Sequence, residues 1–354
     1  MRQAAEITFA GAINQSIHQS MEIDNKILCY GLGVTDPKAV FGTTINLESS
    51  FGNERVFDIP CSENAITGIG VGAALSGYKS IMTHQRLDFF LLAMDQLVNS
   101  AAKWNYMFSG NTPIPITIRL ILGRGWGQGP THSQNLQAWF AHIPGLKVVS
   151  PSNAYDAKGL LTSSIFDPSP VIFLEHRWLH NSKSEVPLDN FSIELGKANI
   201  VKAGSDVTLI ANSYLVPEAV DAAEYVLERF GISCEVIDLR TVRPLDMKTI
   251  LHSVAKTKRV VCIDPGVSSV SVSSDIICKI VEGLDYKELH GISKLAMPEV
   301  PEPTSYALTK DFYNNADDII NEVLSMFGYS KKTQPIIRDQ EHHDIPGEWF
   351  QGPF

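Results

Sequence analysis

Short apolar runs, many of them rich in β-branched residues, alternate with helix-length segments along most of this 354-residue chain. A strand followed by a helix and then by another strand of the same sheet returns by a right-handed crossover, so such alternation builds parallel sheets. Beyond residue 200, the predicted strands are 207–211, 234–238, 260–263 and 293–297, and the predicted helices are 217–230, 247–255 and 272–282. This half of the chain is therefore predicted to be α/β, with helices flanking a mainly parallel sheet.

The first half of the chain shows the same alternation. Apolar residues at i, i+4 steps from Phe9 to Met21 predict an opening helix, with Thr8 as a candidate cap. The other predicted elements are strands 27–30, 55–60, 114–122, 146–149 and 171–174, and helices that begin at Glu63, span 89–105 and span 155–165. We therefore expect two doubly wound, mainly parallel-sheet domains, 1–185 and 201–329, with a polar linker at 186–200 and a tail at 330–354.

Charge and cysteine content argue against several classes of protein. A formal net charge of −10 and a pI near 5.5 disfavour a nucleic-acid surface, which needs clustered Lys and Arg. The five scattered cysteines form no C-x-x-C pair and are expected to be free thiols in a reducing cytosol. The sequence has no run of the roughly 20 apolar residues that span a bilayer, and no basic stretch followed by an apolar run at its N-terminus. We expect a cytoplasmic protein that binds neither nucleic acid nor membrane.

Glu63 is the one acidic residue in the small and apolar segment from Pro60 to Ala74. A carboxylate in apolar surroundings must find a hydrogen-bond partner or keep its proton, and either state suits proton exchange with a buried heterocycle. The alternative is an acid that favours the dipole at a helix N-terminus. The glycines of the segment read Gly-x-Gly-x-Gly, which is not the dinucleotide-binding fingerprint, and they indicate close helix packing instead.

A glycine-rich segment from Gly123 to Pro130 follows the predicted strand 114–122 and ends at Thr131 and His132. Loops directly after strands are where α/β proteins place their ligand sites. The segment lacks the Gly-Lys-Ser/Thr ending of a phosphate-binding loop. A histidine here can supply a charge or a proton near neutral pH, so His132 is a candidate catalytic residue, and a hydrogen-bonded structural histidine is the alternative.

Four further blocks share their order and spacing with one family of enzymes. They are 87–89 with 93–103, 131–134, 144–151 and 237–246. Together with the Glu63 segment, these blocks resemble the beta subunit of the thiamine-diphosphate-dependent 2-oxo acid dehydrogenases of the pyruvate and branched-chain type, in the transketolase-like superfamily. The similarity runs from about Ile7 to about Phe327. It implies a pyrimidine-binding domain followed by a transketolase C-terminal-like domain.

The resemblance assigns roles to three residues. Glu63 matches the glutamate that hydrogen-bonds a ring nitrogen of the aminopyrimidine, so that the 4-amino group of the cofactor can act as an internal base. Phe89 matches an aromatic that packs on the aminopyrimidine face, although core packing is the alternative that its surroundings suggest. His132 matches a histidine that reaches the substrate and the acyl acceptor. The catalytic candidates are thus Glu63 and His132, and the cofactor-binding candidates are Glu63 and Phe89.

Metal binding is expected mostly from a partner subunit. The Gly-Asp-Gly motif with a later Asn, which holds Mg²⁺ and the diphosphate in this family, is missing from the sequence. The resemblance therefore implies that an alpha subunit completes the site, in a heterotetramer of two alpha and two beta subunits. Asp167 falls where some members place a loop for a monovalent cation such as K⁺, and a simple Asp-Pro turn is the alternative.

Leu32 departs from the family pattern, because many relatives carry Gly-Glu-Glu-Val where this chain has Gly31-Leu32-Gly33-Val34. A leucine cannot relay a proton. The main hypothesis is a subunit that takes part in oxidative decarboxylation of a 2-oxo acid, with acyl transfer to a lipoyl group on an acyltransferase core. The alternative is a subunit of a split transketolase-like carboligase or ketol transferase, and a non-catalytic scaffold is disfavoured by the presence of Glu63, Phe89 and His132 together.

Overall fold

The computed structural model describes residues 3–124 and 127–330, which form two compact units. The first unit comprises residues 3–123 and 139–195, and the second comprises the described parts of 124–138 and 196–330. Apart from Ser330, the predicted tail lies outside the described residues. In the described ranges, no helix combines the length and the apolar character needed to cross a membrane.

The first unit is built on parallel strands with helices between them. In chain order its elements are β1 (Ala4–Thr8), α1 (Phe9–Ile23), β2 (Ile27–Gly31), α2 (Ala39–Gly42), α3 (Leu47–Phe51), β3 (Val56–Asp58), α4 (Glu63–Leu75), β4 (Lys79–His84), α5 (Leu87–Phe90), α6 (Ala102–Met107), β5 (Ile116–Leu122), α7 (Gln137–His142, which begins in the second unit), β6 (Lys147–Val149), α8 (Ala154–Phe166), β7 (Val171–His176) and β8 (Lys183–Pro187). Six strands lie in the order β6-β7-β5-β4-β2-β3, and all these neighbours are parallel.

A buried ion pair joins the central strands of this sheet. Every residue of β5 is buried, and Arg119 at its middle is fully buried beside Glu175 of β7. Arg119 Nε and Nη2 donate to the two carboxylate oxygens at 2.5 and 2.8 Å, and Nη1 donates to Thr83 Oγ1 of β4 at 3.2 Å. Burial alone would raise the pKa of Glu175, but the Arg119 charge, the Arg119 hydrogen bonds and the neighbouring His180 hold that pKa below its ordinary value.

The second unit repeats the α/β design. In chain order its elements are β9 (Asn199–Lys202), β10 (Val207–Ala211), α9 (Leu215–Phe230), β11 (Cys234–Asp238), β12 (Thr241–Arg243), α10 (Met247–Thr257), β13 (Arg259–Val267), α11 (Val272–Gly283), β14 (Gly291–Met297), α12 (Tyr306–Thr309) and α13 (Ala316–Met326). Five strands lie in the order β14-β13-β10-β11-β9, and only β9 among them runs antiparallel to its neighbour. The predicted α/β class with two mainly parallel sheets is confirmed.

The boundary between the units falls between Leu195 and Gly196, inside the stretch 186–200 that the sequence predicts as a linker. The polar residues just before it include β8, which pairs antiparallel with β1 at the start of the chain. The first unit extends to Leu195, and β9 already belongs to the second sheet. The pairing of β1 with β8 explains the polar composition, because a two-stranded ribbon needs only one apolar face.

The predicted helix 89–105 is not continuous. It consists of α5, a 3₁₀ turn at Leu91–Ala93, a π-helical segment at Gln96–Ala101 and α6. A π turn is wider than an α turn, so it rotates the side chains that follow it relative to a regular helix. Asn99 Nδ2 donates to Asp95 Oδ1 at 2.7 Å along this segment. Periodicity in the sequence does not reveal such a change of turn.

The Arg119–Glu175 pair yields a prediction about stability. In Glu175→Gln the guanidinium of Arg119 stays buried without a charge to offset it, so the free energy of unfolding should fall by about 3–5 kcal/mol. Urea unfolding of the full chain, followed by circular dichroism, measures this change. Glu6→Gln is the control, since the Lys183–Glu6 pair is exposed, and it should change the free energy by less than about 1 kcal/mol. Equal effects of the two substitutions would contradict the prediction.

Candidate functional site

Glu63 is the first residue of α4, reached through a short turn after β3. Its side chain is buried, with 4% of its surface exposed. Among the described residues, its carboxylate has one partner within hydrogen-bonding reach, the Cys61 thiol at 3.9 Å from Oε1. Thr67 Oγ1 donates to the Glu63 backbone carbonyl at 2.8 Å rather than to the carboxylate. The acid therefore lies at the positive end of a helix and is buried, and its oxygens keep most of their capacity to accept hydrogen bonds.

Phe89 lies in α5, and it is more exposed to solvent than its neighbours in that turn. Leu87 and Phe90 are fully buried, whereas Phe89 is 37% exposed. This exposure disfavours the core-packing alternative. The helix α4 that begins with Glu63 packs against the turn that directly follows α5. Glu63 and Phe89 thus belong to neighbouring elements of the first unit.

His132 belongs to the second unit. It follows the 3₁₀ turn Gly129–Thr131, is half-buried, and its Nδ1 lies 3.0 Å from Thr131 Oγ1. Gly129 has a φ of +62°, and a Cβ there would lie 2.2 Å from Thr304 Oγ1, so the turn approaches Thr304 closely. Two residues of the preceding glycine-rich segment, Gly125 and Trp126, lie outside the described residues. The structure thus places His132 in a tight turn and in a different unit from Glu63 and Phe89.

Asp167 closes the turn after α8. Its Oδ1 accepts from the Ser169 backbone N–H at 2.9 Å, and its Oδ2 pairs with the Lys147 ammonium. Both oxygens are used, which matches the Asp-Pro turn alternative. Throughout residues 3–124 and 127–330, no three His, Cys, Asp or Glu side chains come together in a way that could hold a metal ion. The monovalent-cation loop at Asp167 stays a prediction.

Gly31 ends β2 beside the end of β4, and Leu32 follows it directly. A Cβ on Gly31 would lie 2.1 Å from the Thr83 carbonyl oxygen, so only glycine permits the two backbones to approach this closely. Leu32, the residue that replaces the family acid, is half-buried. The departure from the family pattern therefore lies at the carboxyl edge of the sheet, where α/β proteins bind ligands.

Sequence reasoning missed a group of buried basic residues at the same edge. They are His84, Arg86, His176, Arg177 and His180, each at most 5% exposed. Burial lowers the pKa of His84 to about 4 and, together with the charge of Arg86, lowers the pKa of Arg177 to about 10. The available signal was a basic residue at the end of each of two buried strands, which the strand order places on either side of β5.

Gly31→Ala tests the close approach of the two strand ends. The added methyl group must displace the Thr83 backbone, so the free energy of unfolding should fall by about 1–3 kcal/mol. Chemical denaturation of the full chain gives this value. Gly72→Ala in α4 is the matched control, because a Cβ there meets no atom within 4 Å, and alanine favours a helix by roughly 0.5–1 kcal/mol. Loss of stability in the control alone would refute the prediction.

Family models match both parts of the chain. The model described as "Transketolase, pyrimidine binding domain" matches residues 5–182, and the model described as "Transketolase, C-terminal domain" matches residues 196–319. Glu63 and Phe89 fall within the first match. His132 also falls within it, although the structure groups that residue with the second unit.

Curated relatives cover nearly the same span. The Arabidopsis thaliana protein named "Pyruvate dehydrogenase E1 component subunit beta-1, mitochondrial" is 40% identical over 322 residues, which are 90% of this chain and 88% of the relative. The Homo sapiens protein named "Pyruvate dehydrogenase E1 component subunit beta, mitochondrial" is 37% identical over 90% of this chain and 89% of its own length. A protein of Rhizobium meliloti (strain 1021) named "Pyruvate dehydrogenase E1 component subunit beta" is 38% identical over 92% of this chain and 70% of its own length.

One solved structure shows the fold. A chain titled "Split gene transketolase, inactive beta4 tetramer" matches with a TM-score of 0.74 over 92% of this chain and 99% of that chain, at 18% identity. At this identity the likeness concerns the fold alone. The two matching family models and the identity to the curated relatives together show that this chain belongs to the beta subunits of the thiamine-diphosphate-dependent 2-oxo acid dehydrogenases, within the transketolase-like superfamily.

Proposed function

We propose that this chain is the beta subunit of an enzyme that oxidatively decarboxylates a 2-oxo acid and transfers the acyl group to a lipoyl group. The observation that carries the proposal is Glu63, a carboxylate buried at the start of α4 inside the span matched by the pyrimidine-binding model. A buried acid with free acceptor capacity is what proton exchange with a heterocycle requires. The relatives that share this span are named as pyruvate dehydrogenase subunits, which supports pyruvate or a similar acid as substrate.

The residues of the first unit fit the pyrimidine half of thiamine diphosphate. Glu63 offers an acceptor that the described protein atoms leave almost unused, and Phe89 offers an exposed aromatic face. Glu63 would hold a ring nitrogen, and Phe89 would pack on the ring and exclude water from one side. When bound, the cofactor supplies the carbanion that attacks the keto carbon of the substrate.

The chain itself contributes proton handling and orientation. Glu63 holds or releases a proton at the ring nitrogen, which controls the basicity of the amino group across the ring. His132 supplies a hydrogen bond or a proton to the substrate, with Thr131 Oγ1 at Nδ1 fixing the orientation of the imidazole. Leu32 adds apolar surface where relatives have an acid, so no proton passes through that position.

An alpha subunit completes the proposed enzyme. It would hold Mg²⁺ and the diphosphate, and the two kinds of subunit would form a heterotetramer that delivers acyl groups to a lipoyl acyltransferase core. A K⁺ ion near Asp167 is part of this proposal. The cytoplasm is the proposed compartment, on the basis of the sequence, whereas several relatives are named as mitochondrial.

Glu63→Gln tests the proton-transfer role. An amide keeps the size of the side chain but cannot exchange the proton, so kcat of the assembly with its alpha subunit should fall about 10²- to 10⁴-fold. Circular dichroism should show an unchanged fold. Glu48→Gln, at an exposed position of α3, is the control and should keep full activity. A Glu63→Gln enzyme with near-normal kcat would refute the assigned role.

Release of carbon dioxide tests the reaction. The chain, reconstituted with its alpha subunit, thiamine diphosphate and Mg²⁺, is supplied with a panel of 2-oxo acids and an artificial electron acceptor. We expect decarboxylation coupled to reduction of the acceptor with at least one acid. Binding of the cofactor without consumption of any 2-oxo acid, but with transfer of a two-carbon unit between sugars, would favour the split transketolase-like alternative.

A further inference from the structure

The turn that carries His132 lies close against Thr304 in the second unit. Gly127 and Gly129, which precede His132, have φ values of +70° and +62°. A Cβ on Gly129 would lie 2.2 Å from Thr304 Oγ1, and one on Gly127 would lie 3.4 Å from the Thr304 carbonyl oxygen. Glycine suits both positions, because it adopts a positive φ without strain and leaves room for the neighbouring chain. The chain is thus held in place on the N-terminal side of His132.

A buried carboxylate holds the chain on the C-terminal side of His132. Asp264 lies in β13 and Gln137 is the first residue of α7, and each is only 2% exposed. Gln137 Nε2 donates to Asp264 Oδ1 at 2.7 Å. A carboxylate accepts hydrogen bonds and does not donate them, so this contact fixes which end of the Gln137 amide faces Asp264. Only residues 133–136 separate Gln137 from His132, so the hydrogen bond restrains the chain next to the imidazole.

Asp264 is itself fixed by backbone groups of β13 and α11. Its Oδ1 also accepts from the Gly266 N–H at 2.9 Å, and its Oδ2 accepts from the Ser273 N–H at 2.9 Å. Ser273 lies in the first turn of α11, so the carboxylate also faces the positive end of that helix. Hydrogen bonds to a carboxylate are charge-assisted and are stronger than those between neutral groups. Asp264 is therefore an acceptor whose position the fold of the second unit sets.

Gly266 leaves the space that the contact needs. A Cβ there would lie 2.9 Å from Gln137 Nε2, 3.2 Å from the Asn135 carbonyl oxygen and 3.3 Å from Asp264 Oδ1. The backbone between His132 and Gln137 therefore packs directly against the end of β13. A side-chain hydrogen bond and close backbone packing thus act at the same place.

Asp264 lies toward the carboxyl end of a strand at the switch point of the second sheet. The strands β10 and β13 are parallel neighbours, and β11 lies on the other side of β10. The chain therefore leaves β10 in one direction and returns to β13 in the other, and α/β proteins place functional residues at the carboxyl ends of two such strands. At this position Asp264 binds Gln137, another part of the same chain.

We propose that Asp264 and Gln137 are positioning residues, which hold His132 in the orientation that the substrate or the acyl acceptor requires. This inference rests on the proposed function, because only there does His132 act on a substrate. A displacement of a reacting group by about 1 Å can cost about 100-fold in rate. A hydrogen bond between two buried side chains, one of them a carboxylate with two backbone donors, prevents a displacement of that size.

Hydrogen exchange of the full chain measures whether the contact restrains the segment. Gln137→Met removes the Nε2 donor at similar side-chain length and leaves the two backbone hydrogen bonds of Asp264 in place, so the chain should fold normally. We expect the amides of residues 128–136 to exchange at least about fivefold faster than in the wild type, while peptides from β5 keep their rates. Gln3→Met, at an exposed position, is the matched control and should change neither. Wild-type exchange of 128–136 in Gln137→Met would refute the restraint.

Kinetics of the assembled enzyme separate positioning from a purely structural role. With the alpha subunit, thiamine diphosphate and Mg²⁺ present, Gln137→Met should lower kcat about 10- to 100-fold. The affinity for thiamine diphosphate should stay within about twofold, because Glu63 and Phe89 belong to the other unit. In a His132→Ala enzyme, which already lacks the imidazole, adding Gln137→Met should change kcat by less than about twofold. A further loss of the full size in that background would overturn the positioning role.

Asp264→Asn is a second variant that tests the same contact. Its side chain has one accepting oxygen in place of two, so it cannot accept from Gln137 and from both backbone donors. Exchange of residues 128–136 should therefore rise, and Asp264→Asn combined with Gln137→Met should exchange within about twofold of the faster single variant. Fully additive effects would contradict an action through one contact.

The two kinds of measurement distinguish this inference from the proposed function. Hydrogen exchange needs neither the partner subunit nor turnover. An assembly that decarboxylates no 2-oxo acid would therefore refute the proposed function and leave the exchange result in place. An active assembly in which Gln137→Met changes neither exchange nor kcat would refute the positioning role alone.

Discussion

The bidentate ion pair between Arg119 and Glu175 is the constraint on which the functional edge of the first unit depends. It joins β5 to β7 inside the sheet, and its third guanidinium contact reaches Thr83 of β4. Both side chains are fully buried, so neither can remain charged without the other. The pair thereby fixes the relative positions of three strands, β4, β5 and β7, whose carboxyl ends are followed by the turn that bears Phe89, the glycine-rich segment and Arg177.

Opposite charges are kept apart at this edge of the first unit. Glu63 is a buried acid at the start of α4, where the helix dipole favours it, and buried basic residues lie at or after the ends of β4 and β7.

The sequence predicted regular elements better than contacts. The strands Val207–Ala211 and Cys234–Asp238 were predicted with the bounds that the structure has, because apolar β-branched runs between turn residues are a local signal. The ribbon of β1 and β8 was missed because its two strands lie far apart in the chain. The strand β4 was missed because four of its six residues are polar, namely Lys79, Ser80, Thr83 and His84. Glu63 was found from its contrast with apolar neighbours. Arg86 and Arg177 follow different strands with β5 between them, so their common neighbour Gly123 is visible only in the folded structure.

We propose that Glu63 controls proton transfer at thiamine diphosphate in an enzyme that an alpha subunit completes. The most direct measurement is the rate at which the acidic carbon-bound proton of the thiazolium ring exchanges with solvent deuterium in the assembled enzyme, followed by quenched-flow NMR. We predict that Glu63→Gln slows this exchange at least about 100-fold while the cofactor still binds. Exchange at the wild-type rate in Glu63→Gln, with the cofactor bound, would contradict it.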